Sequence, residues 1–149
     1  MYVDESGVDS YSYRAYGWSL RGKKIYGEIS GHRYARESFI AAKCGSRIFA
    51  SFCFKGTCKT ELFNVWLKEY LVPILRTGQT VVMDNATFHK SRKTKELIEE
   101  AGCFLLFLPT YSPDLNPIEK TWANLKRMIA NTISDFKNLS DAINHAFMY

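Results

Sequence analysis

The feature that most constrains this chain is a proline-rich stretch late in the sequence. Pro109, Pro113 and Pro117 each fix their backbone φ angle and remove a hydrogen-bond donor, so the stretch predicts a rigid loop. A helix is predicted to follow, with Asn116 as its N-cap and Pro117 at its first position. Glu119 then lies in the first turn of that helix. A stiff loop followed by a helix would hold this carboxylate in one place.

The helix after the loop is expected to pack through apolar residues at helical spacing, which are Ile118, Trp122, Leu125 and Ile129. Glu119 also has a purely structural interpretation. Asn at the N-cap with Glu at N3, three positions later, forms a capping box, in which the Glu accepts from the N-cap backbone N–H and needs no catalytic role. The rest of the chain has to distinguish these interpretations.

The composition favours one folded domain spanning residues 1–149, since the 149 residues are 46% hydrophobic and 15% aromatic. The net charge of +5 permits a polyanionic partner, although it fits an ordinary basic surface equally well. No signal peptide and no apolar run of about 18 residues occur. We therefore expect a cytoplasmic protein with no membrane partner.

The four cysteines do not predict a metal site. Cys44, Cys53, Cys58 and Cys103 form no C-x-x-C pair, and no set of cysteines and histidines has zinc-finger spacing. They are interpreted as reduced core residues of an intracellular protein.

The first half of the chain predicts antiparallel strands. Met1 to Gly7 is typical of the end of a strand entering a turn, and the Gly-punctuated segment Tyr11 to Lys24 of a loop. Lys24 to Ser30 fits a second strand. Glu37 to Lys43 and Ser46 to Lys55 give a strand–turn–strand signal.

The second half alternates helices with strands. Apolar residues from Leu62 to Leu71 recur at helical spacing, and Ser91 to Ala101 predicts a second helix that ends at Gly102. Gln79 to Asp84 and Cys103 to Leu108 are apolar runs that fit buried strands. This alternation implies parallel pairing, so the predicted fold class is α/β, with a mixed sheet of three antiparallel strands followed by parallel ones and flanked by helices.

Three carboxylates occupy the positions where such a sheet places its functional sites. Asp4 and Asp84 end or interrupt apolar strands, and Glu119 begins a helix just after another strand. If they converge, they repel one another and raise one another's pKa, and a divalent cation removes that cost. Oxygen ligands without paired Cys or His select a hard ion, Mg²⁺ or Mn²⁺.

A pair of such ions roughly 3.5–4 Å apart can activate water or a 3′-hydroxyl and stabilise the leaving oxygen of a phosphodiester. A basic chain with hard-metal ligands at its strand ends therefore points to a nucleic-acid substrate.

The same residues also fit structural roles. Asp4 fits a turn, and Asp84 with Asn85 fits an Asx turn. His89 fits either a supporting group that orients a ligand or the substrate, or a packed histidine. Other acidic residues are interpreted as solvated or turn-forming: Glu5, Asp9 and Asp114.

Four segments, taken together and in order, resemble the catalytic domain of mariner-like bacterial insertion-sequence transposases, which belong to the DDE superfamily of endonucleases. They are Asp4–Gly7, Tyr16–Trp18, Met83–His89 and Leu108–Trp122. The most specific pieces are D-N-A-x-x-H and Y-S-P-D-L-N-P-I-E. Between Asp84 and Glu119 lie 34 residues, which is the spacing that this family shows.

The resemblance implies an RNase H-like fold with a five-stranded sheet. It implies that Asp4, Asp84 and Glu119 are the catalytic triad and bind two Mg²⁺ (or Mn²⁺) ions, with Asn85 and His89 in support. The implied reaction is DNA cleavage at transposon inverted-repeat ends and strand transfer into target DNA at a TA dinucleotide. The implied assembly is a homodimer in a paired-end complex, associated with the bacterial nucleoid.

The sequence departs from the family pattern at its start. The family carries helix-turn-helix DNA-binding modules upstream of the first Asp, and none is found here, so the expectation is the catalytic half of a split or truncated element. Two alternatives remain open: an RNase H-like nuclease without strand transfer, and an inactive DNA-binding remnant.

Basic residues are the predicted contacts to DNA phosphates, although most surface Lys and Arg side chains are merely solvated. The predicted set is Arg14, Arg21, Lys23, Lys24, Arg33, Lys90, Arg92 and Lys126.

Overall fold

A computed structural model describes residues 1–9, 21–23, 36–110 and 112–148. In these residues five strands form one sheet in the order β3-β2-β1-β4-β5. The strands are β1 (Tyr2–Asp9), β2 (Arg36–Cys44), β3 (Arg47–Lys55), β4 (Thr80–Met83) and β5 (Phe104–Phe107). β1, β2 and β3 pair antiparallel, whereas β4 runs parallel to both β1 and β5. The predicted mixed sheet is therefore confirmed.

Helices pack on both faces of the sheet. They are α1 (Thr60–Trp66), α2 (Arg92–Glu100), α3 (Ile118–Thr132) and α4 (Leu139–Phe147). α1 continues through a π turn and a short 3₁₀ turn that contains Pro73. α2 is capped by Ser91, whose hydroxyl accepts a hydrogen bond from the Thr94 N–H at 3.0 Å, and the helix ends before Gly102, which has a left-handed backbone conformation.

Two hydrophobic cores lie on opposite faces of the sheet, because successive strand residues point to opposite sides. On the first face Val3 and Met83 pack with α1 and α2. On the second face Phe39 packs with α3 and α4. Trp122 of α3 is 2% exposed, and burying a side chain of this size stabilises the fold by about 2–3 kcal/mol. The predicted apolar face of α3 is fully buried, as expected.

The predicted turn after Asp4 is wrong. β1 continues to Asp9, and Asp4 lies inside it, paired with Ala41 of β2. The sequence favoured a turn because Ser6 and Gly7 follow, but pairing with β2 along the whole strand keeps the backbone extended.

The prediction that the β5 segment is a buried strand is also wrong. It forms an edge of the sheet, and only one of its faces packs on the core. Phe104 and Leu106 on the other face are 65% and 53% exposed.

The four cysteines are free thiols, of which Cys103 is buried and Cys44 exposed, so their interpretation as core residues is right for the first and wrong for the second. The predicted strand from Lys24 to Ser30 and the Tyr16–Trp18 segment lie outside the described residues. None of the helices in the described part of the chain has the length and apolar character needed to cross a bilayer.

Candidate active site

Parallel pairing of β1 and β4 places two of the three predicted carboxylates, Asp4 and Asp84, side by side. Val3 of β1 is in register with Met83 of β4, and each is followed by an aspartate. Neighbouring strands lie about 4.8 Å apart. Asp4 and Asp84 are therefore adjacent in space, although 79 residues lie between them in the sequence.

Helix α3 supplies the third carboxylate. Glu119 lies in its first turn and is exposed, and the helix is anchored against the sheet by Trp122. Asp4, Asp84 and Glu119 all line one pocket of about 360 Å³. The rest of the lining comes from Asn85, Ala86, Leu108, Pro109, Thr110, Ser112 and Asn116. The proline-rich loop thus forms one wall of the pocket and leads into the helix that carries Glu119.

Asp4 is buried and receives hydrogen bonds on both carboxylate oxygens. Oδ2 accepts from Trp122 Nε1 at 3.0 Å and from Asn116 Nδ2 at 3.3 Å. Oδ1 accepts from the Glu5 backbone N–H at 2.9 Å. β1, the proline-rich loop and α3 therefore meet at this one side chain.

The pKa of Asp4 is raised to about 7. Burial is the main cause, followed by the negative charge of Glu5, with smaller contributions from Glu119 and Asp84. The hydrogen bond from Trp122 opposes these effects but does not cancel them. The ionised form of Asp4 is therefore unfavourable unless a positive charge is nearby.

Asp84 has the opposite electrostatic environment. Its Oδ1 accepts hydrogen bonds from His89 Nδ1 at 2.6 Å and from the Ala86 N–H at 3.1 Å. The bond from His89 is the main cause that lowers the pKa of Asp84 below its ordinary value. The bond to Ala86 is also the predicted Asx turn, so the structural interpretation of Asp84 is correct without excluding a functional one.

His89 is completely buried and links two carboxylates. Its ring lies against Phe63 and Phe88, with centroid distances of 4.4 and 4.3 Å. Nδ1 bonds to Asp84, and Nε2 lies 3.3 Å from Glu5 Oε2. Burial by itself lowers the pKa of His89, but the contacts with Asp84 and Glu5 raise it to about 9, so the ring is an imidazolium at neutral pH. The interpretation of Glu5 as a solvated residue is wrong.

The prediction that Asn116 caps α3 is also wrong. The helix begins at Ile118, the capping position is Pro117, and no side chain caps it. Asn116 is 5% exposed and turns its amide towards Asp4. Its Oδ1 is buried and has no hydrogen-bond partner among the described residues.

The sequence patterns did not identify Asn116 and Trp122 as the side chains that donate hydrogen bonds to Asp4. One signal was available for Trp122, because a buried indole N–H usually requires an acceptor. Trp122 lies one turn after Glu119, on the face that α3 presents to the sheet.

The other predicted residues take varied positions. Asn85 donates to Thr110 Oγ1 at 3.3 Å and so ties the end of β4 to the proline-rich loop. Asp114 lies in a short 3₁₀ turn, as expected.

Five of the predicted basic residues lie in the described part of the chain and are exposed: Arg21, Lys23, Lys90, Arg92 and Lys126. Arg92 also pairs with Glu96 at 2.7 Å. Arg14, Lys24 and Arg33 lie outside the described residues.

The donor set of the pocket fits a hard divalent ion. Asp4 carries an unfavourable negative charge, and the Asn116 oxygen has no partner. In this conformation, no three acidic, histidine or cysteine side chains of the described residues lie close enough together to hold an ion. Glu119, the third carboxylate of the pocket, is exposed.

Comparison with known proteins identifies the family. The sequence profile described as DDE superfamily endonuclease matches residues 1–140. The chain belongs to this family. The predicted membership of the DDE superfamily of endonucleases is therefore confirmed.

Two proteins of known name are similar to this chain in sequence. The Insertion element IS630 uncharacterized 39 kDa protein of Shigella sonnei is 27% identical over 129 residues, which cover 83% of this chain and 36% of that protein. The Transposable element Tc3 transposase of Caenorhabditis elegans is 35% identical over 105 residues, which cover 70% of this chain and 29% of that protein. The chain thus spans about a third of the length of these relatives.

Solved structures of one transposase share the fold. The Mos1 strand transfer complex superposes with a TM-score of 0.70 at 19% identity, covering 85% of this chain and 39% of that one. The Mos1 mariner paired end complex with Mn superposes with a TM-score of 0.65 at 17% identity, covering 83% and 40%. At such identities the likeness establishes the fold alone, which is RNase H-like as predicted.

Proposed function

We propose that this chain is the catalytic domain of a transposase, which cleaves DNA at transposon ends and transfers the strands into target DNA. The observation that carries the proposal is the meeting of Asp4, Asp84 and Glu119 in one pocket. The family membership supports it, since the relative in Caenorhabditis elegans is a transposase and the similar Mos1 structures are a strand transfer complex and a paired end complex with Mn.

In this proposal the three carboxylates would hold two Mg²⁺ or Mn²⁺ ions. Asp4 and Asp84 would be ligands from adjacent strands, and Glu119 would be a ligand from the start of α3. When bound, such ions would supply Lewis-acid activation of water or of a DNA 3′-hydroxyl and would stabilise the leaving oxygen of the phosphodiester. The chain's own contribution is to fix two ligands on a rigid sheet and to orient them by hydrogen bonds.

DNA phosphates would contact exposed basic residues. Lys90 follows His89 directly and Arg92 begins α2, so both lie within eight residues of Asp84 in the sequence. The ion pair of Arg92 with Glu96 does not prevent such a contact, because an exposed pair of this kind contributes less than about 1 kcal/mol. A TA target, a paired-end homodimer and a location at the nucleoid are part of the same proposal.

The proposal is tested by nicking of supercoiled plasmid in Mn²⁺. We expect the wild type to nick and Asp84→Asn to be slower by at least about 100-fold, since loss of an outer-shell partner alone costs 10–100-fold at metal sites. Asp135→Asn is the matched control, because Asp135 is exposed and lies beyond the far end of α3, which extends about 20 Å from Glu119 to Thr132. Equal rates for the wild type and Asp84→Asn would eliminate this role for Asp84.

Two further measurements separate the alternatives. A pre-cut transposon end incubated with target DNA gives a joined product if the chain transfers strands, and only hydrolysis if it is a nuclease. An inactive remnant would show no Mn²⁺ binding in calorimetry that depends on Asp4 and Asp84.

A further inference from the structure

We propose that Glu5 is a positioning residue, which acts through His89 to hold the carboxylate of Asp84 in a single orientation. The inference rests on the proposed function, in which Asp84 is a metal ligand. Glu5 itself does not line the pocket that contains the three carboxylates.

Strand alternation places Glu5 on the face of β1 opposite to Asp4. Asp4 points to α3, whereas Glu5 lies on the face that packs with α1 and α2, where its side chain is 23% exposed. Its Oε2 is buried and faces His89 Nε2 at 3.3 Å. β1 therefore supplies Asp4 to the pocket and the next residue, Glu5, to the opposite face of the sheet.

The imidazole of His89 is a rigid spacer between Glu5 and Asp84. It lies in the short turn Thr87–Lys90 and is wedged between the rings of Phe63 and Phe88. One nitrogen faces each carboxylate, at 2.6 Å for Asp84 and 3.3 Å for Glu5. The ring cannot turn without losing both contacts.

The contact between Glu5 Oε2 and His89 Nε2 is a polar contact of 3.3 Å, which is at the long end for N–H···O. Glu5 Oε2 and His89 Nε2 are buried and make no hydrogen bond to any other described residue. A buried polar atom left without a partner costs about 1–3 kcal/mol. Each of these two atoms therefore depends on the other.

The consequence for Asp84 is that its two oxygens differ. Oδ1 is committed to His89 and to the Ala86 N–H. Oδ2 accepts no hydrogen bond from the described residues, and the carboxylate lines the pocket. One oxygen is thus fixed by the protein, and the other is available to a ligand.

Glu5 is needed for this arrangement because the His89 ring is fixed by a contact at each nitrogen. Without Glu5, Nε2 is a buried polar atom with no partner among the described residues, which costs about 1–3 kcal/mol. The ring relieves that cost by shifting towards another partner, which would lengthen the 2.6 Å contact of Nδ1 and let the carboxylate of Asp84 rotate.

The test uses the full chain with three substitutions. Glu5→Met removes the acceptor at similar length, whereas Glu5→Gln keeps an amide oxygen for the Nε2 proton. Glu37→Gln is the control, because Glu37 is also buried but bonds to Ser140 on the other side of the sheet, at 2.6 and 2.7 Å. Melting temperature, Mn²⁺ affinity by calorimetry and the Mn²⁺ concentration for half-maximal nicking are measured for each.

We expect Glu5→Met to raise the Mn²⁺ requirement and weaken Mn²⁺ affinity by about tenfold or more. Glu5→Gln should restore most of the loss, and Glu37→Gln should leave both values unchanged. A wild-type Mn²⁺ affinity in Glu5→Met, or equal losses in Glu5→Met and Glu5→Gln, would overturn the proposal, because a packing role does not distinguish an acceptor from a thioether.

Failure of the proposed function is distinguishable from failure of this inference. If the wild type does not nick plasmid at any Mn²⁺ concentration, the proposed function fails, while calorimetry still reports on Glu5. If the Glu5 variants do not fold, a crystal structure of the wild type soaked in Mn²⁺ decides. Manganese on Asp84 Oδ2 with the His89 ring still in contact with both Glu5 and Asp84 supports the proposal, and manganese on Asp84 with the ring turned away from Glu5 contradicts it.

Discussion

Asp4 and Asp84 lie side by side on neighbouring strands, yet the protein treats their charges in opposite ways. Asp84 faces a buried imidazolium, which lowers its pKa. Asp4 is buried near other carboxylates, and its pKa is raised to about 7. The fold itself keeps Asp84 charged and oriented. The negative charge of Asp4 has an electrostatic cost that a bound cation would remove.

The topology explains this difference. Asp84 follows the last residue of β4, so the chain is free to turn and wrap His89 against it. Asp4 lies within β1, between β2 and β4, and receives its side-chain donors only from Asn116 and Trp122 among the described residues. Neither of these donors is charged, so neither compensates the charge of Asp4.

The largest effect is expected on plasmid nicking, in which Asp4 and Asp84 should be equally necessary. Asp4→Asn should abolish plasmid nicking as thoroughly as Asp84→Asn, by at least about 100-fold, because both are proposed ligands of the same metal pair. Initial nicking rates in Mn²⁺ measure this, with Asp135→Asn as the control. An Asp4→Asn rate close to the wild type would remove Asp4 from the site.

Without metal, substitutions of Asp4 and Asp84 should change the free energy of unfolding in opposite directions. In a chelator at pH 8, Asp4→Asn should stabilise the chain by about 2 kcal/mol, because it removes a buried charge with a raised pKa. Asp84→Asn should destabilise it by about 1–2 kcal/mol, because it leaves the imidazolium of His89 without its closest partner. Urea unfolding measures both, and changes of the same sign would contradict the comparison.

The pH dependence sharpens the role of Asp4. Because the folded pKa is raised, protonated Asp4 contributes stability below its ordinary pKa of 3.8, and this contribution is lost as the pH rises through about 7. Mn²⁺ should therefore raise the melting temperature more at pH 8 than at pH 6, since at pH 6 it must displace a proton. Thermal unfolding at the two values checks this, and Asp4→Asn should show no such difference.

The smallest effect is expected from Trp122→Phe. It removes the donor to Asp4 Oδ2 at 3.0 Å but keeps most of the buried ring. The loss should raise the pKa of Asp4 further and increase the Mn²⁺ requirement by a few-fold, in line with about 1 kcal/mol for one hydrogen bond.

Trp66→Phe is the matched control for that substitution. Trp66 is equally buried, but its indole N–H donates to the Ala50 carbonyl at 2.7 Å on the α1–α2 face of the sheet. It should lose stability without a change in Mn²⁺ requirement. A similar shift in both variants would mean that packing, and not the bond to Asp4, is responsible.

The elements that carry the three carboxylates could be predicted from sequence, because the apolar runs of β1 and β4 and the start of α3 are visible as local patterns, and these carboxylates line one pocket. The surroundings of Asp4 could not. Ser6 and Gly7 favour a turn locally, and only pairing with β2, more than 25 residues further along the chain, extends β1 and turns Glu5 towards His89. Asn116 has the local chemistry of a helix cap, but the buried carboxylate of Asp4 competes for its amide.

β5 shows a second limit. An apolar run such as Cys103 to Leu108 has the same residue pattern in a central strand and in an edge strand. The strand order decides between the two positions, and that order depends on residues elsewhere in the chain. The exposed Phe104 and Leu106 are visible only once the strand order is known.

The central claim is that Asp4, Asp84 and Glu119 together bind a pair of divalent ions. Anomalous diffraction from crystals soaked in Mn²⁺ tests it most directly. The account predicts two manganese peaks about 3.5–4 Å apart in the pocket, with oxygens of Asp4 and Asp84 as ligands and Glu119 rotated onto the second ion. Manganese bound elsewhere, or a pocket without manganese in which Asp4 keeps only its bonds to Trp122 and Asn116, would contradict it.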